Sequence, residues 1–133
     1  MRWLVFLVAT AAVLVGAAFA FAGESGGGGK RAFALVDPNG PRLVDAHTRG
    51  FDAVSVGPAG PGDYCLTPSE GVDVVDTAAV ASTEAFFSNV FGIAAVRYPT
   101  SGLVCPAGDL EVKTFTANPV ALTDQIGFTV IVP

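Results

Sequence analysis

From residue 30 onward, apolar and polar residues alternate in short runs, and Gly, Pro, Asn or Asp punctuate the gaps between them. KRAFALV (30–36) predicts a first strand that runs into the turn Asp37-Pro38-Asn39-Gly40, where Asn-Gly suits the positive φ of a tight turn. RLVDA (42–46) returns as a short second strand, and Pro41, which has no N–H to donate, pushes it to a sheet edge. After the loop HTRG (47–50), FDAVSVG (51–57) sets Phe51, Ala53 and Ser55 on one face and Asp52, Val54 and Val56 on the other. GPAGPG then turns the chain; two such triplets are too few for a collagen helix. DYCLT (63–67) places Tyr64 and Leu66 on one face and Asp63, Cys65 and Thr67 on the opposite one.

Beyond the turn at 68–71, the Val-rich VDVVDTAAVAST (72–83) predicts a strand with a break near Asp76. EAFFSNV (84–90) fits either a helical turn or a loop tip, with Phe86 and Phe87 plugging the end of the core or facing solvent. FGIAAVRY (91–98) is a strand, and PTSGLVCPAG (99–108) a loop that carries Cys105. DLEVKTFTA (109–117) alternates Leu110, Val112 and Thr114 against Glu111, Lys113 and Phe115. NPVALTDQI (118–126) connects to a last strand, GFTVIVP (127–133), whose Phe128, Val130 and Val132 are too apolar to hang free. Seven or eight short antiparallel strands without a convincing helix predict an all-β domain, a small β-sandwich with a β-barrel as the alternative. Immunoglobulin-like and jelly-roll connections both stay open; Trp3 lies far outside the strands and supplies no buried tryptophan between the cysteines.

The first 22 residues break the alternation: Arg2 is followed by an uncharged, mostly apolar run ending in Ala18-Phe19-Ala20 and Ala20-Phe21-Ala22. That is the layout of a secretory signal helix, with cleavage expected after Ala22 or after Ala20. A retained anchor is the alternative, because the run just spans a hydrocarbon core of ~30 Å. The Ala-rich second half and the polar GESGGGG that follows favour cleavage. The expected organisation is a signal peptide (1–22), a flexible Gly-rich leader (23–29) and a β domain (30–133). Either fate of the segment delivers the domain outside the cytoplasm, secreted or in the cell envelope. There Cys65 and Cys105, the only 2 cysteines, are expected to pair and to tie the two layers together. No C-x-x-C is present, which argues against redox or zinc chemistry.

A net charge of -5 and a pI near 4.5 argue against nucleic acid and against anionic membrane surfaces as partners. No P-loop or dinucleotide fingerprint appears, so no cofactor is expected, and Asn39, Asn89 and Asn118 lack a glycosylation triplet. His47, the only histidine, reads as a surface loop residue; Ser55, Ser69 and Ser101 stand in no nucleophile elbow with which it could form a triad. Asp73 with Asp76, or Asp109 with Glu111, have the types for calcium or glycosidase acid–base work, but such residues at strand edges are usually solvated. No metal site is expected. The aromatic residues Phe86, Phe87, Tyr64 and Tyr98 are the candidate interaction patch.

The phrases FDAVSVGPAGPGDYCLTP, AAVAST, CPAGDLEVKTFTA and DQIGFTVIVP together resemble a loose group of small exported β-domain proteins, frequent in actinobacteria. Members pair a G-x-Y-C-L hairpin with a C-P-x-G segment; the hairpin here is richer in Pro than that pattern. The resemblance covers most of residues 30–133, and its motifs are structural. It implies an exported bacterial β domain and carries no catalytic role. The expectation is a secreted, non-enzymatic structural or interaction module. The alternatives are a carbohydrate- or protein-binding module using exposed aromatics and, behind it, a small secreted hydrolase using His47. The expected partner is a protein or glycan, with self-association through an edge strand as a further route.

Overall fold

The computed structural model describes residues 30–98 and 104–133. The expected signal segment (1–22), the expected leader (23–29) and Ser101 lie outside the described residues. Eight strands follow in order: β1 (Ala32–Asp37), β2 (Arg42–Leu43), β3 (Phe51–Val56), β4 (Asp63–Pro68), β5 (Val80–Glu84), β6 (Gly92–Arg97), β7 (Leu110–Thr116) and β8 (Gly127–Val132). They form two four-stranded sheets, ordered β2-β1-β8-β5 and β3-β4-β7-β6, and every pairing is antiparallel. The architecture is therefore a sandwich rather than a single closed barrel. Among the described residues the one helical element is a 3-10 turn, Asp45–His47, and no helix is long and apolar enough to cross a membrane.

Strand alternation builds the core from both sheets. Ala32, Ala34, Val36, Phe128, Val130 and Val132 point inward from the first sheet, and Tyr64, Leu66, Leu110 and Val112 from the second. Tyr64 and Phe128 meet at the centre with ring centroids 5.2 Å apart. Tyr64 thus belongs to the core and not to a surface patch, and burial pushes its hydroxyl up to about 12.

Three sequence expectations change. The run 72–83 pairs only from Val80: before it, the Asp73 carboxylate accepts the N–H groups of Val75 and Asp76, a local turn that diverts backbone donors from a ladder. Those two bonds hold the exposed Asp73 carboxyl below the usual carboxylate range. In β3, the register against β4 shifts between Phe51 and Ala53, so Phe51 and Val54 both turn inward, whereas strict alternation separates them. The disulfide joins Cys65 to Cys105, but it does not link the layers. Cys65 sits opposite Glu111 on the outer side of the second sheet, and Cys105 lies in the segment leading into β7 of that same sheet. The layers are held together by apolar packing, with the Phe33–Arg49 backbone bridge as a hydrogen-bonded tie at one side.

The β1–β2 turn is closed by one buried carboxylate. Asp37 accepts from the Asn39 N–H (2.9 Å) and side-chain amide, and its other oxygen takes both Nε and Nη2 of Arg42 (3.0 and 2.7 Å). The Asn39 backbone bond, seconded by Arg42, holds this carboxyl below its ordinary value against the opposing effect of burial. A lowered carboxyl stabilises the fold above its unfolded value, and that contribution disappears as pH falls through the lower folded value. Asp37→Asn is expected to cost about 1–2 kcal/mol at neutral pH, with the difference from wild type shrinking in denaturant melts as pH falls below the ordinary carboxylate range.

Candidate functional site

Antiparallel sheets that face water on one side normally present polar residues there. The outer face of the first sheet does not. Register sets Phe33 on β1 opposite Ile131 on β8, and Ile131 opposite Val80 on β5, a cross-strand apolar row in which all three side chains remain solvent-exposed. Leu35, Thr129 and Ser82 form the next row on the same face.

The loop after β5 folds back over this face. Gly127 makes that return fit: a Cβ there would lie 2.4 Å from the Phe87 Cβ. Hydrogen bonds pin the loop: the Ser88 hydroxyl donates to the Glu84 carbonyl (2.6 Å) and accepts from the Gly127 N–H (3.1 Å), while the Asn89 N–H donates to the Gln125 carbonyl. Phe87 is half-buried against the sheet and Phe86 stands beside it edge-on, centroids 5.2 Å apart, with 87% of its surface exposed. The 3-10 turn closes the other side. Together Phe33, Leu35, Val44, His47, Phe86 and Phe87 border an open groove of about 590 Å³, where Glu84, Thr129 and His47 are the polar members.

Of the candidate patch, Phe86 and Phe87 are brought together, Tyr64 is in the core, and Tyr98 is elsewhere. The Tyr98 hydroxyl accepts from the Ala79 N–H (2.6 Å) and donates to the Thr77 carbonyl, tying down the segment before β5. Phe33, Val80 and Ile131 were not singled out from the sequence. Their signal was present nonetheless: AFALV is apolar on both faces and FTVIV carries Ile131 on its outer one, which a strand with one solvated face has no need to do.

His47 is exposed on the groove margin, and no serine lines the groove with it. The Ser69 hydroxyl donates instead to Asp52, and Ser55 lies opposite Cys65 on the other sheet. The acidic pairs are also engaged. Asp109 accepts from the Thr67 hydroxyl, and Glu111, read from the sequence as a solvated edge residue, is buried and ion-paired with Arg97 (3.0 Å) and Lys113 (3.2 Å). Its strand is flanked by β4 and β6 rather than placed at an edge. Among the described residues, no group of three or more His, Cys, Asp or Glu is placed to hold a metal.

Fold and surface together define a disulfide-bonded β-sandwich with one apolar sheet face. No known protein family, curated protein or solved structure matches the chain.

Proposed function

We propose that the domain is an exported, non-enzymatic interaction module that holds a protein partner on the outer face of its β2-β1-β8-β5 sheet. The row Phe33–Ile131–Val80, extended by Phe86, carries this reading: an apolar strip with fixed backbone beneath it suits the packing of partner side chains. Export is supported by the apolar N-terminal run with its small-residue endings and by the cysteine pair. A glycan is favoured less, because sugar recognition needs several polar groups around the stacking ring and the groove offers few.

The test is capture of protein from an envelope extract of the producing organism on immobilised domain, followed by a titration with the purified partner. The double variant Phe33→Ser/Phe86→Ser is expected to bind it at least ~30-fold more weakly, the loss of two hot-spot aromatics. Phe86→Ser alone is expected to change folding stability by no more than ~0.5 kcal/mol, as befits a surface substitution. Undiminished capture by the double variant would remove this face from consideration.

A further inference from the structure

A separate cluster lies on the outer side of the second sheet. Asp63 on β4 is the direct cross-strand partner of Lys113 on β7, so both side chains share one face. Glu111, two residues earlier on β7, shares it too. Lys113 Nζ lies 4.0 Å from Asp63 Oδ1 and 3.2 Å from Glu111 Oε1. Asp63 is completely buried and Glu111 nearly so, and the Lys113 side chain keeps only 17% of its surface in solvent.

The Asp63 carboxyl is aimed. Its Oδ2 is fixed by the Ala59 N–H at 2.9 Å, whereas Oδ1, turned toward the amine, is reached by no N–H donor, and the carboxyl lies within hydrogen-bond reach of that of Glu111. Glu111 Oε2 is likewise buried and reached by no N–H donor. Gly57 at the start of the Gly/Pro hairpin leaves the space this requires, since a Cβ there would sit 2.5 Å from the Asp63 carboxyl carbon. Two buried carboxyls set against each other, each with an oxygen that no N–H donor reaches, are a costly arrangement for a mere ion pair. That arrangement is what an amine, a carboxyl and a proton carrier need before they react.

We propose that Lys113 and Asp63 condense into an intramolecular isopeptide bond, with Glu111 as the proton carrier. In the reaction, Glu111 takes a proton from the Lys113 ammonium, and the freed Nζ attacks the carboxyl carbon of protonated Asp63. The N–C bond forms and the C–OH bond breaks. Of the three ammonium protons, one stays on the amide nitrogen, one leaves with the Asp63 hydroxyl as water, and one is left on Glu111. No oxidant, nucleotide or metal enters the balance. Burial also pushes the Asp63 carboxyl upward, as does neighbouring Glu111, while the Ala59 N–H and Lys113 pull the other way. Upward is the direction that keeps the attacked group neutral. The amide clasps β4 to β7, beside a disulfide that joins β4 to the segment leading into β7.

Mass spectrometry of the purified, reduced and alkylated protein decides the matter. Digestion with trypsin is expected to leave Lys113 uncut and joined through its side chain to the peptide carrying Asp63, the joined species one water lighter than its parts. Lys113→Arg is expected to release both peptides as linear species. Glu111→Gln, which keeps the side chain's shape and whose folding is checked by circular dichroism, is expected to leave most of the chain unlinked. Recovery of Lys113 from folded wild-type protein wholly as a cleaved, linear terminus would overturn the proposal. So would full linkage in Glu111→Gln, for the role given to Glu111.

Discussion

Phe128→Ala is expected to destabilise the domain by about 4 kcal/mol, because removing a fully buried ring leaves a cavity that rigid neighbours cannot fill. Phe128 has no exposed surface, and its strand runs between β1 and β5 in the middle of the first sheet. Its ring packs on Tyr64 of the second sheet, so the loss falls at the contact that joins the layers. Against a total of roughly 5–15 kcal/mol for a domain, the variant stands near the edge of folding. Chemical denaturation should show a large drop in midpoint. Phe128→Leu, which keeps most of the volume, should lose only about 1–2 kcal/mol. Equal losses for the two would mean that the ring does not fill a rigid core.

Cys65→Ala/Cys105→Ala is expected to cost about 4 kcal/mol by the loop-entropy estimate, since the bridge closes a sequence separation of 40 residues. The character of the loss should differ from that at Phe128. The bridge lies outside the core, between β4 and the segment entering β7 of the same sheet, so the Tyr64–Phe128 contact is untouched. The variant should therefore unfold at lower denaturant in a single transition while keeping native near-ultraviolet dichroism below it. A disulfide that stapled sheet to sheet would instead lose its aromatic signal at once on removal. An isopeptide bond between Lys113 and Asp63 would soften the effect, because it closes nearly the same loop of chain; Lys113→Arg in the cysteine-free background separates the two contributions.

Much of the fold was legible in the chain because strand formation is written in short-range alternation. The inward sets Tyr64/Leu66, Leu110/Val112/Thr114 and Phe128/Val130/Val132 follow directly from it. The failures have local causes. One extra residue in β3 reverses the phase of everything after Phe51, and no composition rule announces it. At 72–79, an aspartate that bonds its own downstream N–H groups overrides the preference of valine for strand. For the site, the adjacent pair Phe86/Phe87 was visible, but the strip it extends was not. Phe33, Ile131 and Val80 are 47 or more positions apart in pairs such as Phe33–Val80 and become neighbours only through register.

The chain by itself determined that this is an all-β domain of short antiparallel strands, that two cysteines would find each other, and which faces of the central strands are apolar. Period and turn chemistry act over a few residues, and sequence records them directly. Which strands lie side by side was decided only by the folded sheets. That ordering placed the bridge within one layer, left an apolar strip on the outside of the other, and set Asp63, Glu111 and Lys113 against one another in a dry place. Contacts between distant segments depend on the packing of the whole, and no local pattern encodes them.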